Sequence, residues 1–197
     1  MSVFDRIYKD NVWNGIDSRS GPGSGIVPTR HVGEFIDQFV AQESIHTMLD
    51  FGCGDCNWMS NIPGYLGVDV SQEAIRLAQR KHPFRAFRVI TGVRDLLGTH
   101  WDMVFSRDVM QHSSTERNRD FLAAIASFDP RWMMLSTYRD GINDSIEDGA
   151  YFRINLNAEP YNLLEPDIWV PDGFDYFSDT RNADRDPGRF MGVWRMK

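Results

Sequence analysis

The chain has 197 residues, 42% of them hydrophobic and 25% charged, with a formal net charge of -7. That length supports a hydrophobic core of its own, and the lack of a long apolar run excludes a membrane-spanning helix. The acidic balance weighs against long nucleic-acid partners, whose binding draws on Lys and Arg. The two cysteines are too few for a disulfide framework and fit a reducing compartment. The N-terminus, MSVFDRIYKD, lacks the apolar stretch of a signal peptide, so the expected location is the cytoplasm.

In chain order, residues 10–30, DNVWNGIDSRSGPGSGIVPTR, are rich in Gly, Ser, Pro and Asn and read as loop. Residues 1–30 therefore form either a lid over a site or an arm wrapped on the body and anchored by Trp13. Val32, Phe35, Ile36, Phe39 and Val40 fall on one helical face. IHTMLDFG reads as a buried strand running into a loop, and YLGVDV, residues 65–70, as a second strand. Only ten residues separate Gly54 from Tyr65, so the first crossover helix is expected to be short. Ser71 caps the helix SQEAIRLAQRKH, whose inner face carries Ala74, Leu77 and Ala78. FRVITG, from Phe87 to Gly92, predicts a third strand and WDMVFS, residues 101–106, a fourth. STERNRDFLAAIASF predicts a helix in which Ser113 and Glu116 have capping-box spacing. Phe121, Leu122, Ile125 and Phe128 supply its apolar face. WMMLSTY, residues 132–138, is a fifth strand, and RFMGVWRM, within 181–197, a last one.

This alternation predicts one α/β domain: a mostly parallel sheet with helices on both faces. Residues 31–138 form its core. Ligands of such sheets bind beyond the carboxyl ends of the strands. The segment 139–180 is expected to cover that rim, with Tyr151, Phe152, Tyr161, Trp169 and Tyr176 available to line an acceptor site. Within it, FRINLNAEPYNL has extended character and is expected to lie over the pocket rather than in the sheet.

The first strand ends in MLDFGCGDCNWM, residues 48–59. Gly52 and Gly54 allow a tight turn and close approach of a ligand to the backbone. A dinucleotide loop needs a third glycine, and here that position is Asn57. Asp50 and Asp55 would repel a pyrophosphate and attract a cation, so a cofactor with an amino group and a sulfonium fits better than NAD. The same acids oppose a reactive thiolate at Cys53 or Cys56, and two cysteines with scattered histidines make no metal site. Asp69, 15 residues after Gly54, is placed to accept both hydroxyls of a ribose, or else is a helix-entry acid before Ser71.

LDFGCGD followed by LGVDVS resembles the nucleotide-binding half of class I S-adenosylmethionine-dependent methyltransferases. The resemblance covers roughly residues 30–138 and, more loosely, the last strand. It implies a three-layer, Rossmann-like fold with a seven-stranded sheet and an antiparallel final strand. It implies S-adenosylmethionine as cofactor, with Asp50, Gly52 and Gly54 in the loop beneath it and Asp69 on the ribose. Asp95, in TGVRDLL, matches the position beside the adenine amino group, and Leu96 offers a backbone contact. Val70 and Ser106, at the ends of the second and fourth strands, complete the implied set. Trp58 either packs on the cofactor or fills the core where the crossover is shortened.

The expected reaction is methyl transfer to O or N of a small-molecule acceptor, such as a sugar or secondary metabolite. His112, after the fourth strand, is the candidate base, or else a structural histidine at a helix start. Asp108 and Tyr138 share the same rim. Trp13, Arg19, Arg107, Arg139 and Tyr151 are candidate acceptor contacts, and the three arginines together could read an anionic acceptor. Without a separate substrate domain, the acceptor is expected to lie against the N-terminal arm, at a dimer interface if the protein is a homodimer. The alternatives are a protein or RNA methyltransferase, a non-catalytic cofactor-binding protein and, least favoured, an NAD-dependent oxidoreductase.

Overall fold

The structure, a computed structural model, describes residues 2–172 and 188–196, so Tyr176 lies outside the described residues. The strands are β1 (Met48–Phe51), β2 (Tyr65–Asp69), β3 (Ala86–Val89), β4 (Met103–Ser106), β5 (Trp132–Tyr138), β6 (Ile168–Pro171) and β7 (Arg189–Arg195). They form one seven-stranded sheet in the order β3-β2-β1-β4-β5-β7-β6. β1 to β5 pair in parallel, while β7 runs antiparallel to both β5 and β6. The sheet is therefore the expected mostly parallel one with an antiparallel last strand.

Strand pleat divides the core into two layers. Met48, Met103, Phe105 and Met134 pack against Val32, Ile36 and Phe39 of helix α2 (Ile26–Gln42). Leu49, Val104, Met133 and Leu135 face the other way, onto Phe121 and Ile125 of helix α4 (Thr115–Ile125). The helix between β2 and β3, α3 (Gln72–Lys81), is capped by Ser71, whose hydroxyl accepts from the Ala74 amide at 3.2 Å. Such a cap contributes about 1 kcal/mol.

Five local expectations change. Residues 3–10 form a helix, α1, whose Ser2 and Asp5 make a reciprocal capping box. α2 begins at Ile26, inside the segment read as loop, because the Asp17 carboxylate accepts from the Ile26 amide and supplies a cap from outside the helix. The β1–β2 crossover has no helix: residues 52–64 are irregular, and Cys56, Met59 and Ile62 fill the α2-side core in its place. Gly52, Gly54, Pro63 and the shortness of the link disfavour a helical run, and the loop instead makes a single turn closed by the Cys56 amide on the Cys53 carbonyl at 3.1 Å. The cap of α4 is Ser114 rather than Ser113, whose hydroxyl instead donates to the Val109 carbonyl.

The fifth change concerns residues 152–156. Phe152, Ile154 and Leu156 are buried in the α4-side core, outside the sheet but stitched to β5. The Tyr138 amide donates to the Ile154 carbonyl and the Leu156 amide to Thr137 Oγ1. β6 is the strand that periodicity missed. It pairs on one side only and ends at Pro171, which an edge strand tolerates because no ladder donor is needed there.

Candidate functional site

A cavity of about 360 Å³ opens at the carboxyl ends of β1, β2 and β4. Its floor is the glycine loop. Gly52 and Gly54 have φ of +77° and +57°, a region that side chains with a Cβ rarely adopt. A Cβ on Gly52 would stand 2.2 Å from Val109 Cγ2, and one on Gly54 2.2 Å from Ser20 Oγ. The loop is thus clamped between the segment after β4 and the N-terminal arm.

Asp50 and Asp69 are buried at the back of the loop. The Tyr65 hydroxyl donates to Asp50 at 2.6 Å. Burial pushes Asp50 up to about 7, against the opposing effect of that bond and with the help of the nearby Asp69 charge. Asp69 accepts from the Gly54 amide at 3.1 Å and the Ser71 amide at 2.8 Å. Burial raises it to about 6 despite those bonds. Neither carboxylate forms an ion pair among the described residues. Asp55 differs from what its place in the loop implies. It pairs with Lys81 at 2.8 Å and accepts from Ser18 Oγ, Ser20 Oγ and the Arg19 amide, so its charge is spent on holding the arm.

The cavity is bordered by Val70 and by Trp58. The Trp58 ring also meets Phe105 edge-on at 6.0 Å in the core, and the Arg107 guanidinium lies 5.5 Å from the ring centroid. Asp95 and Leu96 do not border the cavity. Asp95 accepts from the Thr91 amide and hydroxyl and so closes a short turn, while Leu96 is fully buried. Thr91, Gly92, Val93 and Arg94 border the cavity in their place. Ser106 donates to the Phe51 carbonyl at 2.8 Å, tying β4 to β1 at the rim without facing the space.

The segment after β4 supplies Arg107, Asp108 and His112 to the cavity. Arg107 donates through Nε and Nη2 to Asp172 at 3.0 and 2.9 Å, and its Nη1 lies 3.2 Å from Asp108. Arg189, at the start of β7, closes the set by donating to both oxygens of Asp108. Burial would raise Asp108, but Arg189 and Arg107 outweigh it and hold the carboxyl below its ordinary value. Neither Arg189 nor Asp172 stands out in the sequence.

His112 Nδ1 lies 2.7 Å from the Ala150 carbonyl. A carbonyl only accepts, so Nδ1 carries the proton and Nε2 keeps its lone pair. The Gly149 amide donates to the His112 carbonyl and the Phe152 amide to that of Gln111, which fixes the segment from both sides. Burial, the largest effect, keeps the imidazole below its ordinary value.

The arm forms the roof. Phe4, Tyr8 and Trp13 border the cavity, and Trp13 stacks on His112 with ring centroids 4.9 Å apart. Four other candidates do not converge here. Arg19 donates to the Tyr8 and Lys9 carbonyls at the end of α1. Arg139 lies on Trp169 and Phe190, 4.6 and 4.5 Å from their centroids. Tyr138 is fully buried and shares a 2.6 Å hydrogen bond with Tyr151, and neither borders the cavity. The anionic-acceptor reading therefore loses the arginine trio that motivated it. The 139–172 segment covers the α4-side core more than the rim, and reaches the site through Gly149 and Ala150 at His112 and through Asp172 at Arg107.

Burial raises both thiols, Cys53 well above its ordinary value and Cys56 to about 11, which makes them poor nucleophiles. Among the described residues there is no group that could hold a metal ion, and no helix is long and apolar enough to cross a membrane.

No family model matches the sequence, and no curated protein does. Solved structures do match the fold. Magnesium protoporphyrin IX methyltransferase from Synechocystis PCC 6803, with bound S-adenosylmethionine, aligns at a TM-score of 0.62 and 16% identity, covering 96% of this chain and 91% of that one. A protein from echinomycin biosynthesis, where a disulfide bond is converted into a thioacetal group, aligns at 0.58 and 15%, covering 98% and 91%. DhpI in complex with S-adenosylhomocysteine aligns at 0.50 and 16%, covering 84% and 89%. Strand order, the antiparallel β7 and these likenesses together show that the chain has the Rossmann-like fold of class I S-adenosylmethionine-dependent methyltransferases.

Proposed function

We propose that this protein is an S-adenosylmethionine-dependent methyltransferase acting on an oxygen or nitrogen of a small molecule. The observation that carries the reading is the pair of buried acids, Asp50 and Asp69, with no ion pair among the described residues, behind a left-handed glycine loop. Such a cavity favours a cationic cofactor over a pyrophosphate. Asp69 would hold the ribose, since each oxygen keeps a lone pair after accepting its backbone N–H. Val70 and the Thr91–Arg94 turn would flank the adenine, and Gly52 and Gly54 would let the amino-acid end approach the backbone. When bound, the cofactor supplies an electrophilic methyl group on its sulfonium. The chain's part is alignment: the arm shields the cavity from water and His112 Nε2 takes the proton of the acceptor. Crystals grown with S-adenosylhomocysteine test this directly. Density for the ribose at Asp69 is expected, and a ligand bound elsewhere contradicts the assignment.

Two further outcomes follow. Replacing His112 by Ala should lower kcat by about 10²–10⁴-fold while leaving S-adenosylhomocysteine affinity unchanged. Full turnover in that variant excludes His112 as the base. The acids also set a pH dependence. Both folded values lie above the unfolded 3.8, so their contribution to stability is fully present below about pH 4 and is lost as pH rises through 6 and 7. A cation stabilises the ionised forms, so S-adenosylmethionine affinity should rise on the order of tenfold between pH 5.5 and 7.5. Calorimetry across that range checks it, and a flat profile would show that these acids do not face the cofactor.

A further inference from the structure

We propose that the acceptor is an uncharged planar ring compound bearing a hydroxyl or amino group, received under the arm with Trp13 as its stacking partner. The inference rests on the methyl-transfer reading and extends it to the class of acceptor. Two sets of contacts lead to it.

The first is charge. The guanidiniums bordering the cavity are those of Arg94, Arg107 and Arg117. Arg107 and Arg117 are paired, with Asp172 at 2.9 Å and Asp148 at 2.6 Å, while the Arg94 side chain is 82% exposed and lies in solvent at the edge, 3.9 Å from Asp120. Lys81 is taken by Asp55. The buried charges bordering the space without an ion partner among the described residues are those of Asp50 and Asp69, which the cofactor would face. A carboxylate or phosphate on the acceptor would find no unpaired buried guanidinium among the described residues.

The second is the shape of the roof. Tyr8 lies over the glycine loop, its hydroxyl 2.7 Å from where a Gly54 Cβ would stand. Trp13 meets Tyr8 edge-on at 5.9 Å and His112 at 4.9 Å with the rings tilted by 36°, so the rings span from the glycine loop to the candidate base. Trp58 borders the same space. The arm that carries Trp13 is pinned by three of its donors to Asp55, the Ser18 and Ser20 hydroxyls and the Arg19 amide, which fixes the indole rather than leaving it to swing. Aromatic walls favour a flat ligand, and a neutral imidazole suits the proton of an aromatic hydroxyl or amine.

The test uses three probes with one skeleton: naphthol, its carboxylated counterpart hydroxynaphthoate and its saturated counterpart decalol. Binding is measured calorimetrically with S-adenosylhomocysteine present, and turnover with S-adenosylmethionine. Naphthol should bind and be methylated in preference to the other two. Trp13→Ala should raise the naphthol KM about tenfold, and Trp13→Phe about twofold, with S-adenosylhomocysteine affinity unchanged in both. Preference for hydroxynaphthoate or decalol, rejection of naphthol by the cofactor-bound protein, or an unchanged naphthol KM in Trp13→Ala overturns the proposal. Wild-type protein that fails to bind S-adenosylhomocysteine removes the methyl-transfer reading and this proposal with it. Binding of S-adenosylhomocysteine with naphthol rejected removes this proposal alone.

Discussion

Replacing Arg107 by Met should destabilise the protein by about 3–5 kcal/mol, the range for breaking a buried ion pair from one side. For a chain of this length that corresponds to a fall in Tm of roughly 6–20 °C. The Arg107 side chain is 2% exposed and that of Asp172 is 0% exposed. Asp172 would keep only Arg189, whose Nε lies 3.2 Å from its Oδ2 without hydrogen-bond alignment. Asp108, with φ of +56°, would lose one of the two guanidiniums that hold it ionised. The double variant Arg107→Met with Asp172→Leu should recover much of the loss, because it removes both charges and leaves Arg189 with Asp108. Urea unfolding of the three proteins measures this. A single-variant loss below about 1 kcal/mol would mean that the network behaves like a surface pair.

Replacing Asp69 by Ala should weaken cofactor binding by about 100-fold or more, on the scale of losing two hydrogen bonds to a charged group at about 1.5–3 kcal/mol each. The carboxylate has a double role. Towards the protein it holds the Gly54 and Ser71 amides, which sets the glycine loop against the start of α3. Towards the cavity, on the proposed reading, its remaining lone pairs would accept from the ribose hydroxyls. Asp69→Asn keeps one oxygen and the shape but not the charge, so it separates the two roles. It should bind S-adenosylhomocysteine more tightly than Asp69→Ala does, and its deficit should be larger for the sulfonium-bearing cofactor. Equal losses for both ligands in Asp69→Asn would place the charge effect elsewhere.

The sequence reveals whatever depends on neighbours along the chain. β1, β2, β4 and β5 are largely buried on both faces and appear as mainly apolar runs. The glycine loop and the acid at the end of β2 are likewise local, since the turn needs glycine and the acid follows an apolar strand. α1 was also within reach, because Ser2 and Asp5 have capping spacing with Val3 and Ile7 behind them. β6 was not: four residues that end in proline become a strand only when β7 lies beside them.

The acceptor end was least legible for the same reason. Arg107 meets Asp172 across 65 positions, and Arg189 meets Asp108 across 81. Nothing in the local pattern distinguishes those arginines from Arg19, which closes a helix end, or Arg139, which lies on two rings. Asp95 shows the converse case. An acid after the third strand has the expected position for a cofactor contact, but Oδ2 accepts from the Thr91 amide and hydroxyl and the residue does not border the cavity.

If the loop and its two buried acids form an S-adenosylmethionine site, calorimetric titration of S-adenosylmethionine, S-adenosylhomocysteine and NAD into the wild-type protein and Asp69→Ala will show it. A single site is expected for the first two ligands, none for NAD, and loss of that site in the variant. Binding of NAD alone, or S-adenosylhomocysteine affinity unchanged in Asp69→Ala, would rule the site out.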